Sequence, residues 1–185
     1  MLLTNWLNDV KIRLLKEAEL PALEWEGEYT HFRRIYAEAY ERYKLGRSLI
    51  WVADYPGPER PNGKNIIGQV FVQLICDRPE LADGSQRAYI YAFRIRPAYR
   101  NGGLGTKMMA VAEADLYRRG FHSVTLNVAQ DNPGGMRLYH RLGYRVVSSD
   151  PGRWSYPDEN NIWRQVEEPA WRMEKALKGS RPASW

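Results

Sequence analysis

At 185 residues the chain has the size of one ordinary domain, long enough to bury a core without disulfides or metals. Its apolar fraction of 44% and charged fraction of 26% exclude a disordered tail. No stretch approaches the roughly 18 uninterrupted apolar residues of a membrane helix, and Met1-Leu2-Leu3-Thr4-Asn5 lacks the basic region and cleavage site of a signal peptide. The expectation is a single cytoplasmic domain over residues 1–185, with no membrane partner and a loosely held tail at 178–185.

In chain order, Val10 to Leu14 reads as a short first strand. Phe32, Ile35, Tyr36, Ala39 and Tyr43 recur at helical spacing with Gly46 behind them, which predicts an amphipathic helix from Gly27 to Leu45 after a bend near Pro21. Ser48 to Ala53 and Ile66 to Cys76 read as strands, with Gly68 marking a bulge, separated by a Pro- and Gly-rich loop. A polar turn at Asp83-Gly84 leads to the aromatic and branched strand Ala88 to Ile95, ended by Pro97. Leu104, Met108, Ala112 and Leu116 fall four apart along the next helix, which Gly120 closes.

Further on, Val124, Leu126 and Val128 alternate with polar residues as in a half-buried strand. Asn132 suits an N-cap and Pro133 the first position of a short helix reaching Leu142, with Gly143 as its exit. Tyr144 to Val147 restarts a strand, Asp150 to Asn161 reads as a loop, and Ile162 to Val166 and Ala170 to Leu177 read as final strands around Pro169.

Cys76, the only cysteine, reads as buried filler in its strand, and His31, His122 and His140 lack metal-ligand spacing, so no metal is expected. The net charge of +5 is uneven. Glu17 to Thr30 holds five Glu and no Lys or Arg, whereas Arg94 to Arg145 holds nine Lys or Arg against three acids, a net +6. That middle suits an anion. Its cations lie around a Gly-rich turn instead of along one aromatic-interleaved surface, which favours a compact phosphorylated ligand over a nucleic acid.

The turn itself, Arg100-Asn101-Gly102-Gly103-Leu104-Gly105-Thr106, joins a strand to a helix. Glycines let a backbone approach phosphate closely, and the first helical turn presents unpaired N–H groups at the positive end of its dipole. The alternative is an ordinary strand-to-helix turn. A dinucleotide fingerprint fails, because Met108 stands where its last Gly belongs. A P-loop fails as well, since Thr106 and Lys107 come in reversed order.

These residues resemble the GNAT superfamily of N-acetyltransferases, whose cofactor-binding turn reads Arg or Gln, two residues, Gly, any residue, then Gly or Ala. Arg100, Gly103 and Gly105 match it. Upstream, Phe93-Arg94-Ile95-Arg96-Pro97 resembles the family's strand ending. Downstream, Asn132-Pro133-Gly134-Gly135-Met136-Arg137-Leu138-Tyr139 and Gly143-Tyr144 resemble its Asn, small residue, Leu-Tyr and Gly-aromatic segment, with Gly135 standing where the family usually has Ala. The clear resemblance covers Tyr89 to Val147.

It implies an α/β (α+β) fold with a mixed, mostly antiparallel sheet, flanking helices, and fourth and fifth strands that splay around acetyl-CoA. Main-chain groups of Phe93, Arg94 and Ile95 would pair with the pantetheine arm, and N–H groups of Asn101, Gly102, Gly103, Leu104, Gly105 and Thr106 would hold the pyrophosphate beside Arg100. Asn132 would bond the cofactor's arm and Tyr139 would give a proton to the departing thiolate. Without the family, Asn132 reads as a helix cap and Tyr139 as a core aromatic.

No general base is evident in the sequence: Tyr91, a water held by Asn127, or Glu24, Glu26 or Glu28 are the candidates, and the alternative is that the amine loses its proton to solvent. The amine acceptor would lie between Trp25, Glu26, Glu28, Tyr29 and His31 on one side and Trp154, Tyr156, Trp163 and Trp171 on the other. Acidic groups there would attract a cationic amine. The alternative is a solvated glutamate face, with tryptophans in the core or in a homodimer contact. The competing functions are a cofactor-binding module without turnover and a nucleic-acid-binding protein.

Overall fold

The computed structural model describes residues 6–56 and 65–178. A seven-stranded sheet carries strands in the order β1 (Lys11–Leu14), β2 (Ser48–Asp54), β3 (Ile66–Gln73), β4 (Arg87–Ile95), β5 (Ser123–Ala129), β9 (Ala170–Ala176), β6 (Arg145–Asp150). Only β4 and β5 run parallel; the other neighbours are antiparallel. A separate hairpin pairs β7 (Arg153–Pro157) with β8 (Trp163–Glu167). The helices are α1 (Trp6–Asp9), α2 (Arg33–Lys44), α3 (Leu104–Arg118) and α4 (Pro133–Arg141).

Each sheet face has its own core. On one, Leu104, Met108, Ala112 and Leu116 of α3 are at most 1% exposed against Ile90, Val124 and Leu126. Burial of each large side chain stabilises by about 1.5–3 kcal/mol, which makes α3 the anchor of that face. On the other, Tyr36, Ala39 and Tyr40 of α2 pack with Leu23 on Ile50, Val52 and Phe71. Gly120 and Gly143 follow their helices at a φ of 93°, the left-handed exits that the sequence predicts.

Several boundaries differ from the sequence reading. The helix expected from Gly27 starts at Arg33, because Trp25, Glu26 and Gly27 all have positive φ and a 3-10 turn covers Thr30–Phe32. The bend therefore lies at Trp25–Gly27, and Pro21 sits inside a 3-10 stretch, Glu17–Gly27. The third strand stops at Gln73, so Cys76 lies beyond it, half-buried, with its Sγ against the carbonyls of Arg78 and Ala82. The loop expected over Asp150–Asn161 contains strand β7. Asp158 accepts the N–H groups of Asn160 and Ile162, each at 2.9 Å, which tightens the turn and lets Trp154 and Tyr156 pair across to β8.

Candidate active site

The centre of the sheet forks. β4 pairs with β5 only from Arg87–Ser123 to Ile90–Leu126, while β5 continues along β9 to Ala129 and β4 along β3 to Ile95. The cause is one extra residue. Gln69 and Phe71 face Arg94 and Tyr91, so two steps on β3 match three on β4, and Ala92 takes a φ of 47°. This bulge reverses the side-chain alternation. Ala88 and Ile90 point to the α3 face, Tyr91 and Ala92 to the α2 face, and Phe93 and Ile95 to the α3 face again. Bulges bend and twist the strand that holds them, which turns the end of β4 away from β5.

Beyond the bulge, Arg96 N–H bonds Ile67 O at 2.9 Å. The antiparallel alternation therefore turns the N–H and C=O of Ile95 toward the fork. Its carbonyl accepts Arg100 Nε at 2.8 Å, tying the strand end to the following turn. In that turn Asn101 and Gly103 have φ of 61° and 89°, and α3 begins at Leu104. The N–H groups of Leu104, Gly105 and Thr106 have no partner within the helix and carry the positive end of its dipole. Gly105 sits against Phe93 and Ile95 of β4 and Leu138 of α4, each 3.4–3.6 Å from where a Cβ would stand. The turn thus touches both walls of the fork.

The sequence reading missed what braces this turn. The Trp6 ring of α1 lies 2.7 Å from the Cβ position of Gly102, so no larger residue fits there unless Trp6 moves. Lys107 donates to the carbonyls of Leu7 and Val10, both at 2.8 Å, and so holds that segment on α3. One of the nine cations counted in the basic middle of the chain, it makes these bonds to the chain itself.

On α4, Asn132 accepts the Gly135 N–H at 2.9 Å, the N-cap that the sequence predicts. A Cβ on Gly135 would stand 2.8 Å from Asn132 Nδ2 and 3.0 Å from a Val128 methyl, which explains glycine in place of the family's usual alanine. Tyr139 is half-buried, edge-on to Tyr144 at 5.8 Å. Burial alone pushes its phenol up to about 12.

On the α2 face the fork opens into a cavity of about 1180 Å³ between α2, β4, β5 and the β7–β8 hairpin. Of the acceptor residues expected from sequence, Trp154, Tyr156 and Trp163 line it, whereas Trp25, Glu26, Glu28, Tyr29, His31 and Trp171 do not. The glutamates are occupied or outward: Glu24 pairs with Arg33 and accepts from Thr30, Glu26 pairs with Arg96, and Glu28 is exposed. None of the three acids named as possible bases reaches the cavity.

The wall is instead rich in guanidinium groups. Asp150 is shared by Arg78 at 2.8 Å and Arg172 at 2.7 Å, and Arg153 pairs with Glu167 at 3.1 Å. Burial raises the Asp150 carboxyl, but Arg78, the Gly152 N–H and Arg172 outweigh it and hold the group well below the carboxylate range. Arg94 lies over the Tyr29 ring at 4.3 Å and donates to Tyr36 Oη at 3.0 Å, so its side chain belongs to the α2 face. Three buried polar atoms of this wall have no hydrogen-bond partner among the described residues: Arg42 Nε, Tyr91 Oη and Asn127 Oδ1. Each such atom costs about 1–3 kcal/mol when left unpaired, and all three belong to residues that line this one cavity.

The forked sheet with a helix N-terminus at its mouth defines the acetyltransferase class of fold. The model of the acetyltransferase (GNAT) family matches residues 14–144, and the chain belongs to that family. It is 28% identical over 78 residues to the L-methionine sulfoximine/L-methionine sulfone acetyltransferase of Salmonella typhimurium, covering 39% of this chain and 46% of that protein. It is 26% identical to a probable N-acetyltransferase of Drosophila melanogaster, covering 62% and 59%. The chain thus spans about half the length of these curated relatives. Among solved structures, Arabidopsis thaliana NAA60 in complex with acetyl-CoA superposes with a TM-score of 0.66 at 18% identity, covering 92% of this chain and 99% of that one. The spermidine/spermine N-acetyltransferase SpeG of Vibrio cholerae does so at 0.66 and 15% identity, covering 93% and 95%. At that identity the likeness establishes the fold.

Proposed function

We propose that the protein is an N-acetyltransferase that moves an acetyl group from acetyl-CoA to a primary amine of a small molecule or peptide, by direct attack in a ternary complex. The observation that carries this reading is the fork. One mouth meets the N-terminus of α3 and the other opens into the 1180 Å³ cavity, so a thioester and an amine have separate entries to one point. The structural neighbour that holds acetyl-CoA supports the choice of donor.

When bound, acetyl-CoA supplies the activated acetyl group. The N–H groups of Asn101 to Thr106 receive its pyrophosphate, and Phe93 and Ile95 offer main-chain groups to the arm that threads the fork. Arg94, paired with Gln69, turns its own main-chain groups toward β3 and not, as expected from sequence, toward the arm. Asn132 closes the other wall. A backbone N–H aimed at the carbonyl oxygen stabilises the negative charge that develops there, and holding both reactants in place supplies much of the rate. The amine nitrogen bonds to the acetyl carbon, the carbon–sulfur bond breaks, and the amine's proton leaves to water through the open cavity. Every carboxylate on the described cavity wall is either paired or exposed, so none is set as a buried base.

Tyr139 serves the leaving sulfur. At about 12 its phenol keeps its proton at pH 7, but it is a weaker acid than a thiol near 8.5 in water. Its main contribution is therefore a hydrogen bond to the developing thiolate, with transfer following once that sulfur is equally desolvated.

The test is release of free CoA thiol with an amine panel, beside the thermal shift produced by acetyl-CoA. Thiol release that depends on the amine supports the reading. That every buried carboxylate on the described cavity wall is paired favours a second reading, a binding module without turnover; stabilisation by acetyl-CoA with no thiol release from any amine would establish it.

A further inference from the structure

The cavity wall carries a pattern that a plain amine does not answer. Its guanidinium groups are occupied with one exception. Arg78 and Arg153 hold carboxylates, Arg34 donates to Asn161 Oδ1 at 2.8 Å, and Arg94 is taken by Tyr36 and two rings. Arg42, in the last turn of α2, has no carboxylate, amide or ring partner among the described residues, and its Nε is buried. Its neighbour is the Tyr91 phenol, itself buried and close enough to the Arg42 guanidinium to feel its charge, with no well-formed hydrogen bond among the described residues. Both are donors. Asn127 Oδ1, also buried and unpartnered, is an acceptor.

These groups stand at one level of the sheet. Tyr91 follows Ile90 and Asn127 follows Leu126, the last rung of the β4–β5 ladder, so the two occupy neighbouring strands at the point where the fork begins. Paired strands lie about 4.8 Å apart. Two donors, one of them charged, thus face an acceptor across a gap that matches the carboxylate and amino ends of one small headgroup.

We infer that the amine acceptor is an α-amino acid or close analogue, with its carboxylate against Arg42 and the Tyr91 hydroxyl and its amino group against Asn127 Oδ1. The inference rests on the acetyltransferase reading and names its substrate class. Asn127 accepts one amine N–H, which leaves the nitrogen lone pair directed at the fork. The substituent of the amino acid extends among Phe32, Trp154 and Tyr156, whose ring centres lie 5.1–6.2 Å apart, so an apolar or aromatic group fits best. Polyamines fit poorly, since they add positive charge beside an unneutralised guanidinium.

The experiment measures thiol release from acetyl-CoA with matched pairs: an amino acid, its primary amide, and the amine lacking the carboxyl group. The acid should exceed its amide in kcat/KM by about tenfold or more, the difference of one charge-assisted hydrogen bond. Arg42→Gln should bring the ratio of acid to amide near one, and Arg42→Lys should retain part of it. Amides, dipeptides or polyamines acetylated as well as the acids would overturn the inference while leaving the acetyltransferase reading standing, as would a ratio unchanged in Arg42→Gln. No thiol release from any compound would overturn both. If Arg42→Gln does not fold, the wild-type ratio decides alone.

Discussion

The two halves of the proposed site are built differently. The cofactor half is backbone: a bulge at Ala92, left-handed residues at Asn101 and Gly103, and the open N–H groups of α3. The acceptor half is side chain: Arg42 from α2, Tyr91 from β4, Asn127 from β5 and the rings of a hairpin near the end of the chain. Backbone geometry needs particular residue types at fixed spacing and so leaves a motif. A wall assembled from distant segments needs only a net result, and many sequences give it.

The largest expected effect tests whether the halves are separable. Gly152 lines the cavity at φ 64°, and a Cβ there would stand 1.8 Å from the Glu168 carbonyl oxygen, which is backbone and cannot rotate away. Gly152→Ala should lower the free energy of unfolding in urea by about 3 kcal/mol and abolish amine-dependent turnover, yet acetyl-CoA should still raise the melting midpoint. Equal loss of the acetyl-CoA shift would make the two halves one unit. Next, Tyr139→Phe removes a donor in the cofactor half. Turnover should fall about a hundredfold, as for loss of one donor to a developing anion, with the KM for the acceptor kept. Unchanged turnover would remove Tyr139 from the chemistry.

The same contrast decides how much was legible in the sequence. The α3 stripe from Leu104 to Leu116, the Asn132 cap and the exits at Gly120 and Gly143 are local patterns, and each stands where the sequence puts it. The bulge left one trace, the switch in parity between Ala88–Ile90 and Phe93–Ile95, which reads as a plain apolar strand unless the faces are counted. Strand β7 was hidden by Pro, Gly and Asn on its flanks, although Arg153-Trp154-Ser155-Tyr156 alternates. Five glutamates close together in sequence suggested an acidic wall for the acceptor, yet none of them lines the cavity. Three of them pair with arginines outside the cluster, Glu19 with Arg13, Glu24 with Arg33 and Glu26 with Arg96.

A smaller effect follows from the buried phenols. Tyr139 and Tyr89 are both pushed up to about 12 by burial, with Asp150 adding to the rise at Tyr89 and Arg78 opposing it. An unfolded tyrosine titrates near 10. Below pH 10 both states keep these protons, so the two phenols add no pH dependence. Between about 10 and 12 the unfolded chain has released them and the folded chain has not. Stability should therefore fall with rising pH by about 1.4 kcal/mol per unit for each group. Urea titrations above pH 10 should show a gentler fall in Tyr139→Phe than in the parent. The same slope in both would mean that the phenol is not buried.

The smallest effect concerns Gly135, where the cofactor half departs from its family. Glycine inside a helix costs about 1 kcal/mol relative to alanine, so propensity alone predicts that Gly135→Ala stabilises α4. The added Cβ meets Asn132 Nδ2 at 2.8 Å, and the amide must swing off the Gly135 N–H to make room. Loss of that cap costs about 0.5–2 kcal/mol, and the Val128 methyl at 3.0 Å leaves little slack on the other side. The two effects nearly cancel, so the unfolding free energy should change by less than about 1 kcal/mol. Acetyl-CoA affinity should move more than stability does, because Asn132 is displaced from the wall of the fork. A stabilised variant with unaltered acetyl-CoA binding would show that the cap plays no part in holding that wall.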